Sequence, residues 1–206
     1  MNHRASALFI EPEGSLRACL LDRKAWLDAS MPGQTYCNHP PHCTLVFGDY
    51  GDPSRWLESL RAVTLQTPAF EVETDSWQEF PHDALAEGGH TLAYRAVLDA
   101  NLGQLQRKVA KTLAQFRQDG VTTHPLANRE PFASSLREFG FPFVGPHWIP
   151  HFTIGSPRVA ADDPLLARLK TGPVRHRFLV RLVSVWRVDG DRHERLHELA
   201  LSPRQT

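Results

Sequence analysis

The stretch Pro41-His42-Cys43-Thr44-Leu45 returns later in the chain, in altered form, as Pro150-His151-Phe152-Thr153-Ile154. Each copy stands at the start of an apolar run rich in β-branched and aromatic residues, a composition typical of a β-strand. Side chains alternate between the two faces of a strand, so the His and the Thr of each copy point to the same side. The sequence therefore predicts two strands that each present one imidazole and one hydroxyl on a single face.

These four side chains carry the groups needed to cleave a phosphoester without a metal. Two imidazoles can serve as general acid and general base, and two hydroxyls can donate hydrogen bonds to phosphate oxygens. The alternative interpretation is a pair of structural histidines at two strand entries. Repetition of the whole Pro-His-x-Thr phrase favours the functional interpretation. It makes His42 and His151 the candidate catalytic residues, and Thr44 and Thr153 the candidate phosphate-binding residues.

The paired His-x-Thr motifs resemble those of the 2H phosphoesterase superfamily, which includes cyclic nucleotide phosphodiesterases and the enzymes named 2′-5′ RNA ligases. The resemblance covers most of the chain, because the two motifs fall in separate halves. It implies an α+β fold with two pseudo-symmetric lobes, whose mostly antiparallel sheets line a central cleft and whose helices lie outside. Leu45 and Ile154 match the small or apolar residue that follows the motif Thr in the family. Cys43 is unusual in the middle position, and we expect it to face away from the cleft.

The element pattern is read twice along the chain, as strand, helix, motif strand, helix and then paired strands. In the first half it predicts a strand over Ala5–Ile10 and a helix capped by Ser15. Asp52-Pro53 and Asp163-Pro164 are typical helix starts. One continuous strand is predicted over residues 178–188, followed by a hairpin turn at Asp189-Gly190. Residues 121–146 are predicted to be an irregular connection, either a lid over the site or a surface loop.

A chain of 206 residues is long enough for one bilobal domain over residues 1–206. We place the first lobe at about residues 1–89 and the second at about 90–206, and leave open that the termini cross between lobes. With 41% hydrophobic and 22% charged residues the composition is that of a soluble globular protein. A net charge of zero argues against a protein that coats long nucleic acid.

Two further features of the sequence concern its location. The apolar stretch near the N-terminus is too short for a signal peptide, and no run is long enough to cross a membrane. Three cysteines do not form a disulfide framework and suit a reducing compartment. We therefore expect a cytoplasmic protein, a monomer, with no membrane partner.

The resemblance implies a reaction as well as a fold. We expect hydrolysis of a cyclic phosphate, 2′,3′-cyclic or similar, or of a 2′-5′ linkage in a nucleotide or RNA end, with no cofactor and no metal. By resemblance, His151 is the base and His42 the acid in hydrolysis, with the roles reversed in ligation. Tyr36 is a weaker candidate, for stacking on the nucleobase. The substrate stays open between a mononucleotide, an ADP-ribose cyclic phosphate and the end of a tRNA or oligonucleotide.

Two other classes of protein remain possible from the residues alone. One is a non-catalytic module that binds a nucleotide or RNA in the same cleft. The other is a zinc-dependent hydrolase with ligands from Cys37-x-His39-x2-His42-Cys43. His42 and Cys43 are neighbours on a strand and point to opposite faces, which disfavours a shared ion. The remaining histidines, including His39 and His193, are predicted to be structural or solvent-facing.

Overall fold

A computed structural model describes residues 5–118, 124–190 and 192–204, and its strands and helices confirm the predicted α+β fold. The strands are β1 (Ala5–Ile10), β2 (Cys43–Gly48), β3 (Phe70–Asp83), β4 (Gly89–Ala96), β5 (His151–Gly155), β6 (His176–Val180), β7 (Leu182–Asp189) and β8 (Arg192–Ala200). The α-helices are α1 (Gly14–Ser30), α2 (Leu57–Leu65), α3 (Ala100–Ala114), α4 (Phe132–Phe139) and α5 (Pro164–Leu169).

The strands form two four-stranded sheets, with the orders β2-β1-β7-β8 and β5-β4-β3-β6. Neighbouring strands within each sheet are antiparallel. Both motif strands, β2 and β5, are therefore edge strands, one in each sheet. The sheets are not divided at residue 89, because β3 pairs with β4 in the second sheet while β7 and β8 complete the first.

The prediction of one strand over residues 178–188 is wrong. The segment forms two strands that belong to different sheets: β6 pairs with β3, and β7 pairs with β1 and β8. The chain changes sheets at Arg181, whose carbonyl accepts a hydrogen bond from the Leu201 N–H at 2.8 Å. The run is apolar on both sides of this residue, so hydrophobicity alone did not reveal the break. The hairpin predicted at Asp189-Gly190 is confirmed by the pairing of β7 with β8.

The helix starts were predicted with mixed success. Asp52 and Asp163 do accept backbone N–H groups at the starts of their helices. Ser15 does not cap α1, because Glu13 occupies the N-cap position and the Ser15 hydroxyl instead contacts His176 Nδ1 at 2.9 Å. In the predicted irregular segment 121–146, the structure contains α4, and residues 121–123 lie outside the described residues.

The helices cross between the sheets. Helix α1 follows β1 of the first sheet but packs on β5 and β6 of the second, whereas α3 follows β4 of the second sheet and packs on β2 of the first. One buried hydrophobic cluster consequently contains residues from both sheets, among them Leu8, Leu45, Tyr94 and Phe152. This exchange holds the two motif strands in one continuous core.

Gly155, at the end of β5, tests this packing. A Cβ atom there would lie 2.6 Å from Leu27 Cδ2 and 3.2 Å from Cys37 Sγ, and Leu27 is fully buried. We expect Gly155→Ala to lower the free energy of unfolding by about 1–3 kcal/mol, the usual cost of overpacking a core.

The matched control is Gly103→Ala in α3, where the nearest atom belongs to the flexible end of Arg107. Alanine stabilises a helix by about 1 kcal/mol relative to glycine, so this variant should be as stable as the wild type or more stable. Urea denaturation of both variants measures the difference. Equal stability of the Gly155→Ala protein and the wild type would contradict the described contact between α1 and β5.

Candidate active site

The alternation predicted for both motifs is present. Cys43 and Phe152 are 2% and 1% exposed, which confirms that these middle residues are buried in the core. The residues on either side of them are half-buried: His42, Thr44, His151 and Thr153. Each motif thus turns its imidazole and its hydroxyl away from the hydrophobic core.

The two motif strands lie side by side although they belong to different sheets. The indole Nε1 of Trp148, three residues before His151, donates a hydrogen bond to the carbonyl of Thr44 at 3.0 Å. The backbone of His151 hydrogen-bonds the Cys43 sulfur, while burial raises the pKa of that thiol to about 12. The second motif therefore touches the first through backbone and core atoms.

Both motif histidines have the same hydrogen bond. His42 Nδ1 lies 2.6 Å from the carbonyl oxygen of Pro40, and His151 Nδ1 lies 2.7 Å from that of Ile149. A carbonyl oxygen can only accept, so each Nδ1 carries the proton and donates it. Each Nε2 is then the atom that can take a proton when the ring is neutral, or give one when it is charged. Both rings are thus held by the same contact with the backbone.

Aromatic side chains support the two rings. His42 stacks on Phe9, with ring centroids 3.7 Å apart and planes 18° apart. Phe9 belongs to a small apolar cluster on the first sheet that also contains Trp186. The His151 ring lies 5.0 Å from the ring of Phe80. Packing of this kind restricts the side-chain rotamers and fixes where each Nε2 points.

Two further histidines lie beside His42, and neither was predicted to belong to the phosphoesterase site. The ring centroids of His39 and His193 are 6.5 and 6.4 Å from that of His42, and 4.2 Å from each other. His193 reaches this position from β8, through the pairing of β8 with β7 and of β7 with β1. No local sequence signal reports a contact that depends on the order of strands in a sheet.

Tyr36 lies in the connection before the first motif. Its ring contacts His39 edge-on at 5.3 Å, and its hydroxyl donates to the carbonyl of Leu85 at 3.3 Å. Burial, with the charge of Asp83 adding to it, raises the pKa of this phenol. The residue therefore bridges two parts of the structure near the motifs, and its stacking on a nucleobase stays a prediction.

The charges near the two imidazoles differ in sign. Burial is the largest cause that lowers the pKa of His42, to about 3, and the positive charge of Lys24 lowers it further. Burial also lowers the pKa of His151, but there the negative charge of Asp83 acts in the opposite direction. The Asp83 carboxylate is held by the Thr91 hydroxyl at 2.6 Å. The surroundings therefore favour a neutral His42 more strongly than a neutral His151.

The hydroxyls of Thr44 and Thr153 form no hydrogen bond with any other residue in the described ranges. Both are therefore available to a ligand in the cleft. Across residues 5–118, 124–190 and 192–204, three or more His, Cys, Asp or Glu side chains do not come together in a way that could hold a metal ion. The same ranges contain no helix long and apolar enough to cross a membrane.

Sequence comparison identifies the class of protein that this fold and site define. The model of the 2′-5′ RNA ligase superfamily, a family of 2H phosphoesterases, matches residues 23–192. The chain belongs to this superfamily, whose members are generally enzymes. No curated protein matches the chain in sequence.

Three solved structures illustrate the shared fold. TT0787 of Thermus thermophilus is 16% identical with a TM-score of 0.61, and the match covers 98% of this chain and 100% of that one. E. coli LigT complexed with 3′-AMP is 14% identical with a TM-score of 0.54, covering 97% and 99%. Usb1 of Kluyveromyces marxianus is 13% identical with a TM-score of 0.51, also covering 97% and 99%.

The lowered pKa of His42 predicts a pH dependence of stability. Unfolding restores an ordinary pKa near 6.5, so the unfolded chain binds a proton that the folded protein excludes between about pH 6.5 and pH 3. Stability from this group is therefore lost as the pH falls through that window. From pH 7 to pH 5 we expect the free energy of unfolding of the wild type to fall by about 1–2 kcal/mol more than that of the His42→Gln variant.

Urea denaturation of both proteins at the two pH values measures the difference, since all other titrating groups are common to them. NMR titration of the His42 ring gives an independent check. An identical pH dependence in the two proteins would contradict a neutral, desolvated His42.

Proposed function

We propose that this protein is a metal-independent phosphoesterase that hydrolyses a cyclic phosphate, 2′,3′-cyclic or similar, or a 2′-5′ linkage, in a nucleotide or RNA end. One observation carries the proposal. On adjoining edge strands, each motif histidine is fixed by an Nδ1 hydrogen bond to the carbonyl two residues before it, beside a threonine hydroxyl open to a ligand. This pairing supplies an acid, a base and two phosphate-binding groups.

For a 2′,3′-cyclic phosphate the reaction is an attack of water on phosphorus. The neutral imidazole takes a proton from water at Nε2 as the new phosphorus–oxygen bond forms. The imidazolium gives its Nε2 proton to the ribose oxygen as the old phosphorus–oxygen bond breaks. The product is a phosphate monoester with a free neighbouring hydroxyl, and the two rings exchange protonation states. Thr44 and Thr153 donate to the non-bridging oxygens as their charge grows.

The charges around the rings support an assignment opposite to the one implied by the family resemblance. Burial, with the charge of Lys24 adding to it, disfavours a proton on His42, which suits the base. Burial lowers the pKa of His151 as well, but Asp83 opposes this shift and favours a proton there, which suits the acid. We therefore assign the role of base in hydrolysis to His42 and that of acid to His151, with the roles reversed in ligation.

The proposed substrate is a small nucleotide or RNA end. The similar structures include E. coli LigT complexed with 3′-AMP, with ATP and with NADP+. A fold shared with a nucleotide-binding protein supports a nucleotide ligand for this chain. The half-buried Tyr36 before the first motif offers an aromatic ring on which a nucleobase can stack. The free thiols of Cys19, Cys37 and Cys43 support a reducing, cytoplasmic setting. We propose that the protein is a monomer.

Substitution of the motif residues tests the proposal with a 2′,3′-cyclic mononucleotide as substrate. His42→Ala and His151→Ala should each lower kcat by about 10²–10⁴-fold, the usual contribution of a positioned acid or base. Thr44→Val and Thr153→Val should lower it by about 10–10³-fold, because each removes one donor to the developing charge. The double histidine variant should be scarcely slower than either single one, since both rings act in one step.

Thr112→Val in α3 is the control, since it makes the same change from hydroxyl to methyl at a threonine outside the motifs, whose hydroxyl donates to the Lys108 carbonyl. It should leave kcat unchanged. Undiminished turnover by the His151→Ala protein would show that the motifs have only a structural role.

The pH profile and a chelator separate the remaining classes. The profile of kcat/KM should be bell-shaped, because one ring must be neutral and the other charged. Both histidines have lowered pKa values in the free protein, so the optimum should lie on the acid side of about pH 6.5. Excess EDTA should leave the rate intact. Loss of activity in EDTA that zinc restores would support the metal-dependent alternative, and nucleotide binding without turnover would support the binding module.

A further inference from the structure

Lys24 is the only Lys, Arg, Asp or Glu side chain in the described ranges that is buried, with 5% of its surface exposed. It lies on α1, the helix that crosses from the first sheet to pack on β5. Burial of an ammonium group is costly unless its protons are hydrogen-bonded. A lysine retained in such a place has either a structural or a functional reason to be charged.

The hydrogen bonds of Lys24 connect the approach to one motif with the strand of the other. Its Nζ donates to the carbonyl of Tyr36 at 2.6 Å and to the carbonyl of Ile154 at 3.0 Å. Tyr36 lies in the loop that leads to His42, and Ile154 directly follows Thr153. The two segments are also joined by a backbone hydrogen bond from Ser156 to Thr35 at 2.9 Å.

The Tyr36 backbone gives a separate reason for this contact. Its φ of 71° lies in the left-handed region, which costs a residue other than glycine about 1 kcal/mol or more. Two hydrogen bonds hold Tyr36 in this conformation. Its carbonyl accepts from the Lys24 ammonium, and its hydroxyl donates to the Leu85 carbonyl. Loss of the ammonium would therefore free the loop that leads to His42, and His42 would no longer be held in place.

The charge of Lys24 is not neutralised by a carboxylate, since none of the described Asp or Glu side chains forms an ion pair with it. Both of its partners are carbonyl oxygens. A positive charge therefore remains under the cleft, where it opposes a second positive charge on His42 and attracts a phosphate anion.

We propose that Lys24 is a positioning residue of the active site, which fixes the two His-x-Thr motifs relative to each other through the Tyr36 and Ile154 carbonyls and places a buried positive charge between the two segments. The inference rests on the proposed function for its catalytic consequence. Its structural and electrostatic parts concern the free protein and can be tested without any substrate.

The groups that act electrostatically on His42 come from three parts of the structure. They are Lys24 on α1, His39 in the loop and His193 on β8, and each opposes a proton on His42. Asp83, at the end of β3, acts on His151 instead. Cys37 faces Lys24 and favours its charged form, against the burial that lowers the pKa of Lys24 to about 8. Below about pH 8 the ammonium is therefore charged and acts on His42.

The test compares Lys24→Met with the wild type. Methionine fills a similar volume but has neither charge nor donor, so His42 should become easier to protonate. We expect NMR titration of the His42 ring to move to higher pH by about one unit. The acid limb of kcat/KM should move in the same direction, because the base must be neutral. Turnover at the optimum should fall by about 10–10²-fold through misplacement of the motifs.

Lys108→Met, at an exposed position on α3, makes the same change in net charge and should shift neither the titration nor the rate. Lys24→Gln keeps an amide donor for the two carbonyls but has no charge. It should restore part of the turnover, while the His42 ring still titrates at the higher pH. It also replaces the methionine variant if that protein does not fold. An unchanged His42 titration in the folded Lys24 variants would overturn the electrostatic role, and unchanged turnover would overturn the positioning role. A wild type inactive on cyclic phosphates would reject the proposed function alone, because the titration still decides the effect of Lys24 on His42.

Discussion

The motif strands β2 and β5 must stay side by side although each is the edge of its own sheet, and the described pairings do not join one to the other. Within a sheet, a ladder of backbone hydrogen bonds fixes the register of neighbouring strands. Between these two edges the bonds come from side chains instead. The Trp148 indole donates to the Thr44 carbonyl of β2, and the Lys24 ammonium joins the Ile154 carbonyl of β5 to the Tyr36 carbonyl in the loop before β2. The exchange of α1 and α3 between the sheets provides the apolar packing beneath them. The geometry of the cleft therefore depends on a few specific contacts outside the sheets.

The two motifs are alike in sequence and in their Nδ1 hydrogen bonds, but their surroundings differ. A reaction that needs a base and an acid at the same moment requires two rings in different protonation states. Identical motifs in identical surroundings would not decide which ring holds the proton. Lys24 acts on one side and Asp83 on the other, and both effects work in the direction that separates the two rings. In the proposed reaction, the division of roles is therefore set by residues outside the repeated phrase.

Features governed by local chemistry could be predicted from the sequence. The burial of Cys43 and Phe152 follows from strand alternation, and the β7–β8 turn follows from Asp189-Gly190, whose glycine has a φ of 58°. Features that depend on distant pairing could not. The change of sheet occurs at Arg181, which has apolar, strand-forming residues on both sides, so the local pattern does not show that two strands meet there.

The surroundings of His42 illustrate the same limit. His193 reaches this ring only through the strand order of the first sheet, and Lys24 only through the crossing of α1. In sequence Lys24 is an ordinary lysine of an amphipathic helix, four residues after Leu20 and three before Leu27, which are both fully buried. That spacing already places it on the buried face, so the signal was present, but it did not indicate what the ammonium contacts.

The burial of the two imidazoles bears on the choice between an enzyme and a binding module. A protein that only binds a phosphate gains from groups that are always charged, such as arginine, which donates in a fixed fork. Desolvation of His42 and His151 works against the charged form in the free protein, and so weakens simple anion binding. The same desolvation keeps a ring neutral and able to accept a proton, and an arriving phosphate anion favours the charged form of the other ring. An arrangement that is unfavourable for binding alone is favourable for proton transfer, which is the physical reason for proposing an enzyme rather than a binding module.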